Sequence, residues 1–162
     1  MHRFVTIILI AAGVVTASSS GASTAGETVR QTQVERNGGS VMPFSMDATM
    51  HHFVPTPVGG VQTVLVHNGD GRQVALVRGH LRKEAAAFAE GVFTDPASIH
   101  GGGMPGLKAM RAGSRRIAIG YADVPNGGKI TYSTRDHALV AAIHTWFEAQ
   151  VADHGAHATM KM

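Results

Sequence analysis

Ten histidines and eight methionines occur in a chain that contains no cysteine. Imidazole nitrogen suits copper, zinc and nickel, and thioether sulfur selects the soft Cu(I) ion, so the two types together make a metal-ligand set. Lacking thiols, such a set suits an oxidising compartment, where free cysteines are lost to oxidation. Spacing then picks out particular residues. His80 lies four residues before Glu84, and His144 four before Glu148. On a helix, positions four apart share a face, so each pair can grip one ion. If the two pairs converge, four nitrogen and oxygen ligands result, a set that favours zinc or Cu(II). His100 and Met104 flank three consecutive glycines, whose backbone freedom allows an imidazole and a thioether to meet on one ion, a copper pairing.

His154 completes the candidates: His80, His100, Met104, His144 and His154. His144 and His154 fall on one helical stripe, but at 1.5 Å rise per residue they are about 15 Å apart and cannot share an ion. At a helix C-terminus His154 is also favoured as imidazolium by the helix dipole, with no metal involved. Looser clusters flank these residues. Met42, Met46, Met50, His51 and His52 crowd one end, and His157, Met160 and Met162 form a tail after His154. Such tails scavenge metal weakly, because ordering them costs entropy.

The elements that must position these groups can be read from periodicity. Residues 46–54 and 61–67 read as strands joined by a Pro/Gly turn, and N-G-D-G at 68–71 ends the second. Residues 72–90 read as a helix with Val74, Val77, Leu81, Ala85 and Phe88 on one stripe, stopped by Gly91. A short helix is expected over 105–111 within the glycine-rich connector. Residues 116–124 and 129–133 read as two more strands around Asn126-Gly127-Gly128, and a last helix runs over about 136–153 with Gly155 beyond. P-V-G-G-V-Q-T at 57–63 matches P-N-G-G-K-I-T at 125–131, and H-x-x-x-E follows each on a helix. The expectation is a duplicated ββα unit: an α+β domain with a four-stranded antiparallel sheet, two main helices on one face and a short connecting helix.

Domain organisation follows from the ends. Met1, His2 and Arg3 precede the apolar run 4–15 and a small-residue stretch, the layout of a secretory signal peptide over 1–25, cleaved after Ala17, Ala22 or Ala25. Residues 26–45 are polar and read as a flexible leader, residues 46–155 as a single α+β domain, and 156–162 as a His/Met-rich tail. After cleavage about 137 residues remain, enough for one core. A net charge of +3 is scattered rather than clustered, with no aromatic interleaving, which argues against nucleic acid as a partner. No second hydrophobic stretch suggests membrane insertion of the mature chain. Enzyme signatures are missing: no G-x-S-x-G, no P-loop, no H-E-x-x-H and no thiol nucleophile.

D-P-A-S-I-H-G-G-G-M-P-G-L at 95–107, with H-T-W-F-E-A-Q-V-A-D-H-G-A-H-A at 144–158, resembles a family of small exported bacterial proteins that carry the label aspartate carbamoyltransferase. The resemblance covers most of 46–158 and implies that His100, Met104, His144 and His154 belong to the family pattern. It does not imply the labelled reaction. A transcarbamylase binds carbamoyl phosphate with S-T-R-T at a helix start. Here Ser133, Thr134 and Arg135 are followed by Asp136, whose carboxylate would repel the phosphate and reads instead as a helix N-cap.

The sequence therefore suggests a periplasmic metal-binding protein that handles copper, with zinc as second choice, and works with a metal-handling partner protein. The competing expectation is a non-metal ligand-binding or protein-interaction module whose histidines are structural. An enzyme ranks third.

Overall fold

The computed structural model describes residues 20–162. The apolar run 4–15 and the cleavage position at Ala17, on which the signal-peptide reading rests, lie outside the described residues. In chain order the elements are α1 (Ser20–Val41), β1 (Thr49–Thr56), β2 (Gly59–Val66), α2 (Gly71–Ala89), α3 (Thr94–His100), α4 (Leu107–Gly113), β3 (Ala118–Val124), β4 (Gly127–Ser133), α5 (His137–His154) and β5 (Ala158–Thr159). The protein is α+β, with one five-stranded mixed sheet in the order β3-β4-β2-β1-β5.

Each strand forms where apolar and polar residues alternate. On β1, Thr49, His51 and Phe53 are buried while Met50, His52 and Val54 are only partly so, the two-residue period of a sheet with one face packed. On that packed face Phe53 of β1 meets Phe147 of α5 at 5.2 Å between ring centres, and Tyr132 of β4 meets Trp146 of α5 at 5.8 Å and Phe88 of α2 at 6.5 Å. Both long helices thus cover the same face. They start alike: the Asp70 carboxylate accepts from the amides of Arg72 and Gln73, and the Asp136 carboxylate from those of Ala138 and Leu139. Asp136 is an N-cap, and it also pairs with Arg116, so a carboxylate occupies the helix start where a phosphate would have to sit.

The central pair is β2 with β4. Gly59 lies opposite Ser133 as Gly127 lies opposite Leu65, and Gly60 opposite Tyr132 as Gly128 opposite Val64. Gly60 leaves room for a helix, since a Cβ there would stand 2.4 Å from Phe147.

Two expectations need correction. The sheet has a fifth strand: Ala158 and Thr159 pair in parallel with His51 and His52, and His52 Nδ1–H donates to the Lys161 carbonyl at 2.6 Å. The start of the His/Met-rich tail is therefore a docked sheet edge, and the sheet is mixed rather than wholly antiparallel. The segment 26–45 is also not a flexible leader. Most of it is α1, which packs against α3 and α5. Its sequence shows no broad apolar stripe because the seat is narrow: Val34, Gly38 and Met42, four residues apart, are the buried positions. Polar anchors supply the rest. Arg30 pairs with Asp153 and donates to the His100 carbonyl, Gln31 donates to the Ala152 carbonyl, and Asn37 to the Ile99 carbonyl. Tertiary contacts of this kind, rather than propensity, stabilise most helices in proteins. Phe44 just beyond α1 is buried as well.

The glycine-rich connector is two short helices. Gly101, at φ 89°, ends α3 directly after His100, and the chain turns so that Met104 enters the core. Gly106, at φ 77°, lets α4 press onto α5, where a Cβ would stand 2.1 Å from the Ala142 carbonyl oxygen. Among the described residues no helix is long and apolar enough to cross a membrane.

Candidate functional site

A cavity of about 40 Å³ lies between the packed face of the sheet and the helices. Its walls come from every layer: His51 and Phe53 on β1, Gln62 on β2, His80, Leu81, Glu84 and Phe88 on α2, Asp95, Pro96, Ile99 and His100 on α3, and Trp146, Gln150 and His154 on α5. Met42 and Phe44, which follow from α1, complete it.

At one pole, ligand atoms of His80, Glu84 and Asp95 all lie within 4.8 Å of one another. The four-residue step on α2 puts His80 and Glu84 on one face, and Asp95, in the first turn of α3, meets them from the neighbouring helix. Burial, reinforced by a hydrogen bond and the charge of Asp95, pushes the Glu84 carboxyl up to about 8. Burial works against ionisation of Asp95 too, but hydrogen bonds from Lys83 and Glu84 hold it below its ordinary value, with Lys83 Nζ at 2.9 Å. The pair therefore shares one proton at neutral pH, and burial keeps His80 neutral by lowering its pKa. A neutral imidazole and two carboxyl groups in one niche can take up a divalent cation by giving up that proton.

At the other pole three imidazoles cluster. His154 stacks obliquely on His51 at 5.1 Å and meets His100 edge-on at 4.8 Å between ring centres. Burial takes His51 down to about 3 and, helped by the neighbouring imidazoles, holds His154 well below its usual value, so both rings are neutral. His100 Nδ1 is 2.9 Å from Asp153 Oδ2. That carboxylate is kept ionised, against the burial that opposes it, by hydrogen bonds from His100 and Arg30. A carboxylate on Nδ1 orients the ring, the arrangement found behind metal-bound histidines.

The cavity wall also holds polar atoms without partners. His51 Nε2, Trp146 Nε1 and Gln150 Oε1 are buried and make no hydrogen bond, and all three residues line this cavity. Each unmet group costs about 1–3 kcal/mol, a cost that natural cores carry at functional sites.

The five residues expected from the sequence separate here. His80, His100 and His154 share the cavity. Met104 does not: it is buried in the core and borders an outer depression whose lining, with Arg30 and Pro105, also includes His100 and Asp153, so the expected His100–Met104 pair shares that depression and not the cavity. The thioether in the cavity wall belongs to Met42. His144 lies elsewhere too, its Nε2–H shared between the Thr56 carbonyl at 3.0 Å and the Gly59 carbonyl at 2.8 Å. That bond pins the β1–β2 turn to α5, so the second H-x-x-x-E pair does not converge with the first, and Glu148 is exposed.

Counting from the N-caps explains why. His80 and Glu84 stand ten and fourteen residues after Asp70, whereas His144 and Glu148 stand eight and twelve after Asp136. The positions ten and fourteen after Asp136 are Trp146 and Gln150, which do face the cavity. Sequence reasoning missed Asp95 and His51 as participants. His51 was readable from strand alternation, since it shares a face with Phe53. Asp95 needed the packing of α3 on α2, which no local pattern reveals. Compared with known protein families, curated proteins and solved structures, the chain matches none.

Proposed function

We propose that this protein binds one divalent transition-metal ion in the cavity, through His80, Glu84 and Asp95. One observation carries the reading: three ligand atoms from two helices lie within 4.8 Å of one another, in a cavity whose remaining walls hold three further histidines. Two carboxyl oxygens and imidazole make a borderline-hard set, which suits Cu(II) or Zn(II) better than Cu(I). Copper is the tighter of the two by the general affinity order of divalent ions. The role is metal handling, by binding or delivery, in an exported protein: the N-terminal layout of charge, apolar run and small residues supports secretion to the periplasm, and delivery requires a metal-handling partner protein there. The two ββα runs are read as a duplicated unit, supported by the matching registers of Gly59 with Gly127 and Gly60 with Gly128 and by the paired aspartate caps. The second copy replaced the ligand positions of the first.

The test is a Cu(II) and Zn(II) titration of the purified protein against a chromophoric chelator. One ion per chain is expected. Glu84→Gln and His80→Ala are expected to weaken it by about 100-fold or more, since loss of an outer-shell partner alone costs about 10–100-fold, while deletion of 160–162 leaves it unchanged. Binding that survives both cavity variants, or that disappears with the tail, overturns the proposal.

A further inference from the structure

We propose that the bound ion keeps one coordination position for an exchangeable small ligand, water or hydroxide in the resting state, lodged against His51, Trp146 and Gln150. This rests on the metal-binding reading and goes beyond it, because it makes the centre an open, reactive one rather than a sealed store.

Three observations carry it. First, three protein ligands are fewer than the four that fill a tetrahedral structural site, and three ligands with one open position is the pattern of centres that bind and activate water. Secondly, three buried polar atoms without partners, His51 Nε2, Trp146 Nε1 and Gln150 Oε1, belong to the wall of the same cavity. Their chemistry is mixed. The indole N–H only donates and the amide oxygen only accepts, so the molecule that satisfies them must accept and donate. Water does both. Thirdly, the space is small. A volume of about 40 Å³ holds roughly three water-sized spheres at 10–15 Å³ each; the ion takes one, and the room left suits water or a slim anion rather than a tetrahedral oxyanion such as sulfate. Trp146 and Gln150 stand at the same counts from the N-cap of α5 as His80 and Glu84 do from that of α2, and all four line the cavity.

No bond within the protein is made or broken. A lone pair of the incoming ligand replaces that of the departing water, and the ion's oxidation state does not change.

The probe is azide, a triatomic anion, added to the protein loaded with one equivalent of Co(II), whose visible bands report coordination. Expected is a saturable shift of those bands with azide and none with sulfate at the same ionic strength. Trp146→Phe, which deletes the one N–H that can donate to azide, is expected to weaken azide binding by about tenfold while Co(II) affinity changes less than threefold, and Gln150→Leu, whose oxygen can bond only to water or hydroxide, is not expected to weaken it. Bands that stay fixed in azide, in a protein whose Co(II) binding does depend on Glu84, overturn this proposal and leave the metal reading standing. A shift equal for azide and sulfate also overturns it, since the room beside the ion does not suit sulfate. A protein that takes up no Co(II), or takes it up equally as Glu84→Gln, fails the metal reading and this proposal with it.

Discussion

Replacing Glu84 with glutamine is expected to stabilise the metal-free protein at alkaline pH, the reverse of what a buried polar substitution ordinarily does. Burial first, and then Asp95, raise the Glu84 pKa from 4.5 to about 8. Between those values the folded state holds a proton that the unfolded state has released. Stability therefore falls as pH rises through the window, and the slope vanishes above the folded value, where both states are ionised. At 1.36 kcal/mol per pKa unit the full loss is on the order of 2–5 kcal/mol. Glutamine keeps the shape and one hydrogen-bond donor, as the protonated acid does, but never ionises. Urea unfolding of both proteins with a chelator present, from pH 5 to pH 9, gives the two stability curves. The gap between variant and wild type is expected to move in the variant's favour by about 2–5 kcal/mol across that range. Saturating Zn(II) reverses the ranking, because an ion that binds only the folded state stabilises the protein that keeps all its ligands. A gap that stays constant with pH refutes the shared-proton account of Glu84 and Asp95.

Other outcomes follow from the same geometry. With its pKa held down to about 3 by burial, His51 stays neutral in the folded state while the unfolded chain protonates near 6.5. Stability is thus present above pH 6.5 and lost as pH falls below it; His51→Leu flattens that acid limb, followed by circular dichroism. His144→Ala removes the clasp on the Thr56 and Gly59 carbonyls and is expected to cost about 1–3 kcal/mol in urea unfolding, with Cu(II) affinity unchanged in chelator competition. Arg30→Ala leaves buried Asp153 with His100 alone; amide exchange in α1 is expected to quicken about tenfold, reflecting loss of one partly buried ion pair. Gly106→Ala forces a side chain against the Ala142 carbonyl oxygen, and its cost is expected to be about 2–4 kcal/mol.

What was legible in the sequence is what depends on local periodicity. The stripe Val74, Val77, Leu81, Ala85, Phe88 gave α2 within a residue of its bounds, and all five are buried. The Pro/Gly and Asn-Gly turns placed both hairpins. Residues 26–41 defeated the same reading, because α1 is held by a narrow row of buried positions, one of them a glycine, and by four polar anchors to distant carbonyls and a carboxylate, which together leave no apolar stripe. Tail residues 158–159 were likewise read as loose, since a two-residue strand adds no pattern of its own. At the site, composition identified histidine as the residue to follow and spacing identified His80 with Glu84. Which other histidines joined them depended on strand facing for His51 and on the turn after α3 for His100.

The repeated H-x-x-x-E shows why a motif match is weaker than a count from a structural landmark. Each occurrence lies on a long helix that follows a hairpin, yet a two-residue difference from the N-cap turns the second pair by about 200° around its axis, at 3.6 residues per turn. His144 is thereby directed at the turn of its neighbouring hairpin, where it donates to two backbone carbonyls, and Glu148 at solvent. The side of α5 that faces the cavity carries Trp146 and Gln150 instead, two groups that cannot replace an imidazole and a carboxylate on an ion but can hold what the ion holds. Ligands on α2 and α3, with a neutral donor and acceptor on α5, make an asymmetric niche. Trp146→His with Gln150→Glu is expected to add a second pair of ligands, and a centre closed in that way to bind its ion more tightly and lose its response to azide.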